Sequence, residues 1–212
     1  MVKRIIFIGG AEGTGKTTLT HLLRDNLENS EAYSFFKMIG DEGDKLNLSQ
    51  ADKLRNWGSL QEHFFESFIV SRLINSDDKT IIFDTHYSMQ ASDNPKIVFA
   101  KRSISEEHGF SMTFDSNFLI RLASINVPTV LFLVTSGEET IHSRIIKDSI
   151  RDNRVYKSST TGVKREIDAE LVFYRQSIAI LEHYGSPVKH SEIVNYDNQQ
   201  KISLFKMLER LN

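Results

Sequence analysis

Short apolar runs alternate with longer amphipathic stretches from one end of this chain to the other. Ile5-Ile6-Phe7-Ile8 is continuous in β-branched and aromatic residues and stops at Gly9-Gly10, the pattern of a strand buried on both faces. Residues 16–28 carry Leu19, Leu22, Leu23 and Leu27 at helical spacing with polar residues between them. Residues 33–37 read as a second strand, 40–48 as a polar, glycine-bearing loop, and 49–75 as two helices broken near Gly58. A third strand, 80–83, ends at Asp84, and a helix is predicted over 115–125. The fourth strand is 128–134. Ser136 and Glu139 then have the spacing of a capping box, for a helix running through Ile141 and Ile145 into a charged segment that reaches Arg154. Ile167, Leu171, Tyr174, Ile178 and Leu181 mark a further amphipathic helix, 188–194 a last strand, and Ile202, Phe205, Leu208 and Leu211 one face of a closing helix. Only 87–114, interrupted by Pro95 and Gly109, has no readable period. Strands alternating with helices predict an α/β fold: a mostly parallel, five-stranded open sheet with helices on both faces.

The turn after the first strand carries the most chemistry. Gly10-Ala11-Glu12-Gly13-Thr14-Gly15-Lys16-Thr17 matches G-x-x-x-x-G-K-[ST], the phosphate-binding loop pattern. A polyphosphate needs several backbone N–H donors converging on it, so the chain must curl with no Cβ in the way. Gly10, Gly13 and Gly15 permit that curl, and the next helix adds its own unpaired N–H groups and partial positive charge. Lys16 can reach the β and γ oxygens of a nucleotide such as ATP, and the Thr17 hydroxyl can ligate Mg²⁺. The motif follows a buried strand and opens an amphipathic helix, the setting this chemistry requires.

Composition narrows the picture. With 212 residues, 40% hydrophobic and 25% charged, the chain suits one globular domain and excludes collagen-like, coiled-coil and disordered classes. There is no linker and no internal repeat. A net charge of −2 argues against a domain that wraps nucleic-acid backbone. The absence of Cys removes thiolate chemistry and Cys-containing zinc sites, and the seven His show no close-spaced ligand pair. Apolar runs as short as 5–8 and 130–134 are neither signal peptides nor membrane spans, so a cytoplasmic protein is expected.

A phosphate loop of this type needs a carboxylate at the end of a neighbouring buried strand to hold Mg²⁺ or its waters, and Asp84 has that position. No Asn-Lys-x-Asp sequence is present, which argues against a GTPase. Arg144, Lys147, Arg151 and Arg154 are spaced by three, four and three residues, one stripe of a helix. Mobile arginines that close over a migrating phosphoryl group would neutralise it and exclude water. His86 could hydrogen-bond an acceptor phosphate or a bound water.

On the loop from Gly10 to Thr18, the Asp84-Thr85-His86 step and the Arg144-to-Arg154 cluster, the chain resembles nucleoside-monophosphate kinases. The likeness is to archaeal-type adenylate kinases and their eukaryotic nuclear relatives, with a looser match over Asp52-Lys53-Leu54-Arg55 and Leu60-Gln61. The resemblance implies a single P-loop kinase domain over 1–212, with an acceptor-side helical region at about 40–75 and a short lid at about 144–163. The insert at about 87–114 departs from that pattern. It further implies that Gly13, Thr14, Gly15, Lys16, Thr17 and Thr18 hold the donor phosphates and that Thr17 and Asp84 serve Mg²⁺. Arg144 would lie against the donor base, Arg151 and Arg154 on the transferring group, and Arg55 on the acceptor phosphate. The leading expectation is transfer of the ATP γ-phosphoryl group to a small acceptor, AMP or another nucleoside monophosphate. Two alternatives stand beside it: a kinase with a hydroxyl acceptor, which needs a carboxylate such as Asp84, Asp41 or Asp44 as proton acceptor, and an ATP-hydrolysing assembly factor with a protein or ribonucleoprotein partner.

Overall fold

A computed structural model describes residues 4–72, 79–90, 110–152, 160–195 and 199–211. In chain order the strands are β1 (Arg4–Gly9), β2 (Ser30–Ser34), β3 (Thr80–Asp84), β4 (Ser88–Gln90), β5 (Phe110–Met112), β6 (Thr129–Thr135) and β7 (Val188–Val194). The helices are α1 (Lys16–Asp25), α2 (Phe35–Lys45), α3 (Gln50–Arg55), α4 (Trp57–Phe64), α5 (Ser116–Ser124), α6 (Glu138–Asp152), α7 (Thr160–His183) and α8 (Gln200–Leu211). Five strands form one parallel sheet in the order β2-β3-β1-β6-β7, with β1 in the middle. The register sets Ile8 beside Asp84 and Gly9 beside Leu133. Both strands next to β1 therefore deliver their C-terminal ends to the place where the phosphate loop begins.

The period-two alternation of β1 explains why it is central. Ile5 and Phe7 face one buried layer, with Phe83, Leu131, Phe35 from α2, Phe118 from α5 and Tyr174 from α7. Ile6 and Ile8 face the other, with Val130, Phe132, Leu19 and Leu23 from α1 and Met207 from α8. Neither face tolerates a polar residue, which is why the strand reads as an unbroken apolar run. Phe7 is the hub of the first layer. Its ring stacks on Phe83 at 5.2 Å and meets Phe114 and Phe35 edge-on at 5.1 and 6.2 Å.

The differences from the sequence reading concentrate between residues 30 and 64. The second strand starts earlier and stops at Ser34, whose hydroxyl accepts the Lys37 N–H and begins α2. Residues 40–45 are therefore helical rather than loop, because burial of Phe35 and Ile39 outweighs the helix cost of two glycines. The helical break expected near Gly58 falls at Asn56, and α4 continues as a π-helical turn over Phe65–Val70. The capping box before α6 is not formed. Instead, Gly137 O accepts the Ile141 N–H, and the Ser136 hydroxyl donates to the Asn195 carbonyl at 2.9 Å. The described ends of the 87–114 segment pair as an antiparallel two-stranded ribbon, β4 with β5, while residues 91–109 lie outside the described residues. Among the described residues no helix is long and apolar enough to cross a membrane.

Phe7→Ala removes the hub of the larger layer and should lower unfolding free energy by about 3–5 kcal/mol. Phe205→Ala, at a side chain 60% exposed, should change it by less than about 0.5 kcal/mol. Urea denaturation of the two variants checks the pair.

Candidate active site

Residues 9–17 leave the end of β1 and turn directly into α1. Gly15 adopts φ +84°, a conformation glycine takes without strain, and a Cβ there would come within 2.6 Å of the Asn195 side-chain nitrogen. Asn195 is buried just beyond β7 and donates to the Thr14 carbonyl at 2.7 Å, while the Thr14 hydroxyl donates to the Ala11 carbonyl at 2.8 Å. The loop is thus braced from within and from the last strand. Gly15 offers α1 no side-chain cap, and no acidic residue stands in the helix's first turn. The first N–H groups of a helix lack intrahelical partners, and such a start favours an anion.

Lys16 opens α1 and is largely buried; its ammonium lies 3.4 Å from the Ala11 carbonyl. One residue on, the Thr17 hydroxyl donates to Asp84 Oδ2 at 2.5 Å. This contact joins the start of α1 to the end of β3 and places a hydroxyl and a carboxylate side by side. Both are hard oxygen donors, suited to Mg²⁺ with phosphate oxygens and water completing its shell. Among the described residues no group of three or more His, Asp or Glu gathers to hold a metal by itself.

Above this floor opens a cleft of about 980 Å³. Arg144, Lys147, Asn195 and Gln200 line it on the β6–β7 side, and Ser34, Phe36, Thr85 and His86 on the β2–β3 side. Arg144 donates to the Gly13 carbonyl at 3.0 Å, so the first cation of the predicted stripe sits against the phosphate loop. Arg151 lies in the last turn of α6, with its side chain outside the described residues, as is Arg154 altogether. Arg55 is not brought to the cleft: it pairs with Asp52 on the exposed face of α3 at 3.2 Å. His86 is at the cleft, its ring edge-on to Phe36 at 5.7 Å.

No family model and no curated protein matches this chain. Solved structures do. A putative kinase from Chloroflexus aurantiacus J-10-fl aligns over 100% of both chains at 12% identity and a TM-score of 0.54. Shikimate kinase from Acinetobacter baumannii, in complex with shikimate, aligns over 100% of this chain and 93% of its own at 11% identity and a TM-score of 0.52. Shikimate kinase from Bacteroides thetaiotaomicron gives 98% and 97%, 13% and 0.50. The fold is that of a P-loop NTPase. At such identities the likeness is one of architecture, and the chemistry must be argued from the residues.

Several residues of this P-loop site escape the sequence reading. Glu166 Oε1 accepts the Glu12 N–H at 2.8 Å, tying α7 to the phosphate loop. Glu170, one turn further, accepts from the strand exit at 86–88. A signal exists for Glu170: it shares a buried stripe with Val163, Tyr174, Ser177 and Leu181, where a carboxylate needs partners. Phe36 and Asn195 follow strand ends, as the phosphate loop does, but neither residue type marks a site by itself.

Burial raises the Glu166 carboxyl above the ordinary glutamate range, and the Glu12 N–H and nearby His86 partly oppose that. A carboxyl raised in the native state favours folding while protonated, and this contribution is lost as pH rises through the native value. Glu166→Gln keeps an oxygen for Glu12 and removes the titration. The variant should therefore gain stability relative to wild type as pH rises from acid to neutral. Urea midpoints across that range check it, and a constant difference would contradict it.

Proposed function

We propose that this chain is an ATP-dependent phosphotransferase, a single domain acting in the cytoplasm, that moves the γ-phosphoryl group to a nucleoside monophosphate, AMP first among them. One observation carries the reading: the Thr17–Asp84 pair and Lys16 lie on the floor of one cleft with lining on both sides. At about 980 Å³ the cleft is at the upper end of ligand pockets, which suits a donor nucleotide and a second small molecule together.

In this reading the donor phosphates lie on the N–H groups of Gly13, Gly15, Lys16, Thr17 and Thr18. The Lys16 ammonium neutralises the β and γ oxygens. Thr17 and Asp84 hold Mg²⁺, which when bound supplies charge to the transferring group. Arg144 steadies the donor side of the loop, and Arg151 and Arg154 close on the migrating phosphoryl group. His86 meets the acceptor.

Two observations favour a monophosphate over a hydroxyl acceptor. A hydroxyl needs a carboxylate to take its proton. Asp84 is engaged by Thr17 and Asp44 by Lys53 at 2.6 Å, and Asp41, exposed on α2, does not line the cleft. A phosphate oxygen arrives already anionic and needs no such group. The ring of Phe36, backed by Trp57 at 5.2 Å, also gives the acceptor side a flat apolar surface for a nucleobase. The resemblance of the Asp84-Thr85-His86 step and the Arg144 helix to archaeal-type adenylate kinases points the same way.

Purified protein with ATP and Mg²⁺ should form ADP in proportion to added AMP, and more slowly with other monophosphates. Turnover unaffected by any monophosphate but stimulated by shikimate-like or nucleoside hydroxyls would transfer the assignment to a hydroxyl-acceptor kinase. Lys16→Ala should lower kcat on the order of 10²–10³-fold, because the developing charge loses its main fixed cation. Phe36→Ala should raise the KM for AMP and leave that for ATP unchanged, as read from initial rates.

A further inference from the structure

Glu170 has no role in the scheme above, yet its surroundings are built around it. It lies on α7, 1% exposed, beneath the loop that leaves β3. Oε2 accepts the Tyr87 N–H at 2.8 Å. Oε1 accepts the Ser88 N–H at 3.2 Å and the Ser88 hydroxyl at 2.8 Å, and it faces His86 Nδ1 at 3.3 Å. A carboxylate buried this deeply is tolerated only when its oxygens are satisfied. Here three consecutive residues supply the partners, so one side chain sets the course of 86–88.

The His86 contact also decides which ring nitrogen carries hydrogen. A carboxylate oxygen offers none, so this contact is a hydrogen bond only with hydrogen on Nδ1, the tautomer that leaves Nε2 for a ligand. The ring lines the cleft, and its edge-on contact with Phe36 restricts rotation from the other side. A side chain fixed by a buried hydrogen bond and by packing costs less to order when a ligand binds.

We propose that Glu170 is a positioning residue for the acceptor: through Nδ1 of His86 and the backbone of Tyr87 and Ser88 it aims His86 Nε2 at the molecule that receives the phosphoryl group. This rests on the phosphotransferase reading for its substrate, AMP, but not for its geometry. Glu170 touches neither substrate, and it acts on one side of the cleft only. The donor side is braced separately, by Asn195 on Thr14 and Arg144 on Gly13.

Long-range ¹H–¹⁵N spectra of the histidine rings in the free wild-type protein test the geometry without any activity. His86 should show a protonated Nδ1, and Glu170→Ala, which leaves Nδ1 without this acceptor, should abolish that preference. A wild-type His86 protonated only at Nε2 overturns the proposal, even if the variant fails to fold. Kinetically, Glu170→Ala should raise the KM for AMP about five- to tenfold, the worth of one hydrogen bond, with the KM for ATP within about twofold of wild type. In a His86→Ala background the same substitution should add nothing. Equal losses for ATP and AMP, or an undiminished loss without His86, would mean that Glu170 only supports the fold. Should wild type form no AMP-dependent ADP, the phosphotransferase reading fails, while the ring spectra still decide the role of Glu170.

Discussion

The hydrogen bond from Thr17 to Asp84 is the contact on which the rest of the site depends. It exists because β1 and β3 are parallel neighbours in a register that sets Ile8 beside Asp84. That register is held from below by the stacked rings of Phe7 and Phe83, and both faces of the two strands are apolar and buried. A slip of one residue would send every β1 side chain to the wrong layer. It would also separate the hydroxyl from the carboxylate. The aromatic core and the oxygen pair are therefore one construction: sheet packing at one end fixes the candidate site at the other.

Around that pair the protein spends two further devices on rigidity. On the donor side, Asn195 and Arg144 bond to carbonyls of the phosphate loop, those of Thr14 and Gly13. Between the two sides, α7 contributes Glu166 and Glu170, one helical turn apart. One takes an N–H of the phosphate loop and the other takes donors from the strand exit. A single helix thereby sets the spacing between the loop that would carry the donor phosphates and the loop that would face the acceptor. Catalysis by positioning and charge depends on such spacing more than on any single reactive group.

Much of this is legible in the amino-acid order, for a physical reason. The phosphate loop is contiguous, so Gly10 to Thr18 can be read as a unit, and strands buried on both faces leave unbroken apolar runs. The last strand, 188–194, coincides with β7. What escapes is non-local. Asn195 meets Thr14 across 181 residues and Glu170 meets His86 across 84, and no local pattern announces either pairing. The α2 helix is missed because its polar, glycine-bearing sequence reads as loop until Phe35 and Ile39 find the core. Arg55 stands apart for the converse reason. The family resemblance implies an acceptor-side role for it, yet it pairs with Asp52, three residues away on the same helix.

The account stands on the claim that the cleft serves two ligands in one transfer, with the phosphoryl group passing directly between them. Tracing label from γ-labelled ATP, in the presence of AMP and Mg²⁺, tests this most directly. The account predicts that the label appears in the β position of ADP formed from AMP, with little inorganic phosphate. Label released only as inorganic phosphate, at a rate indifferent to AMP, would contradict it.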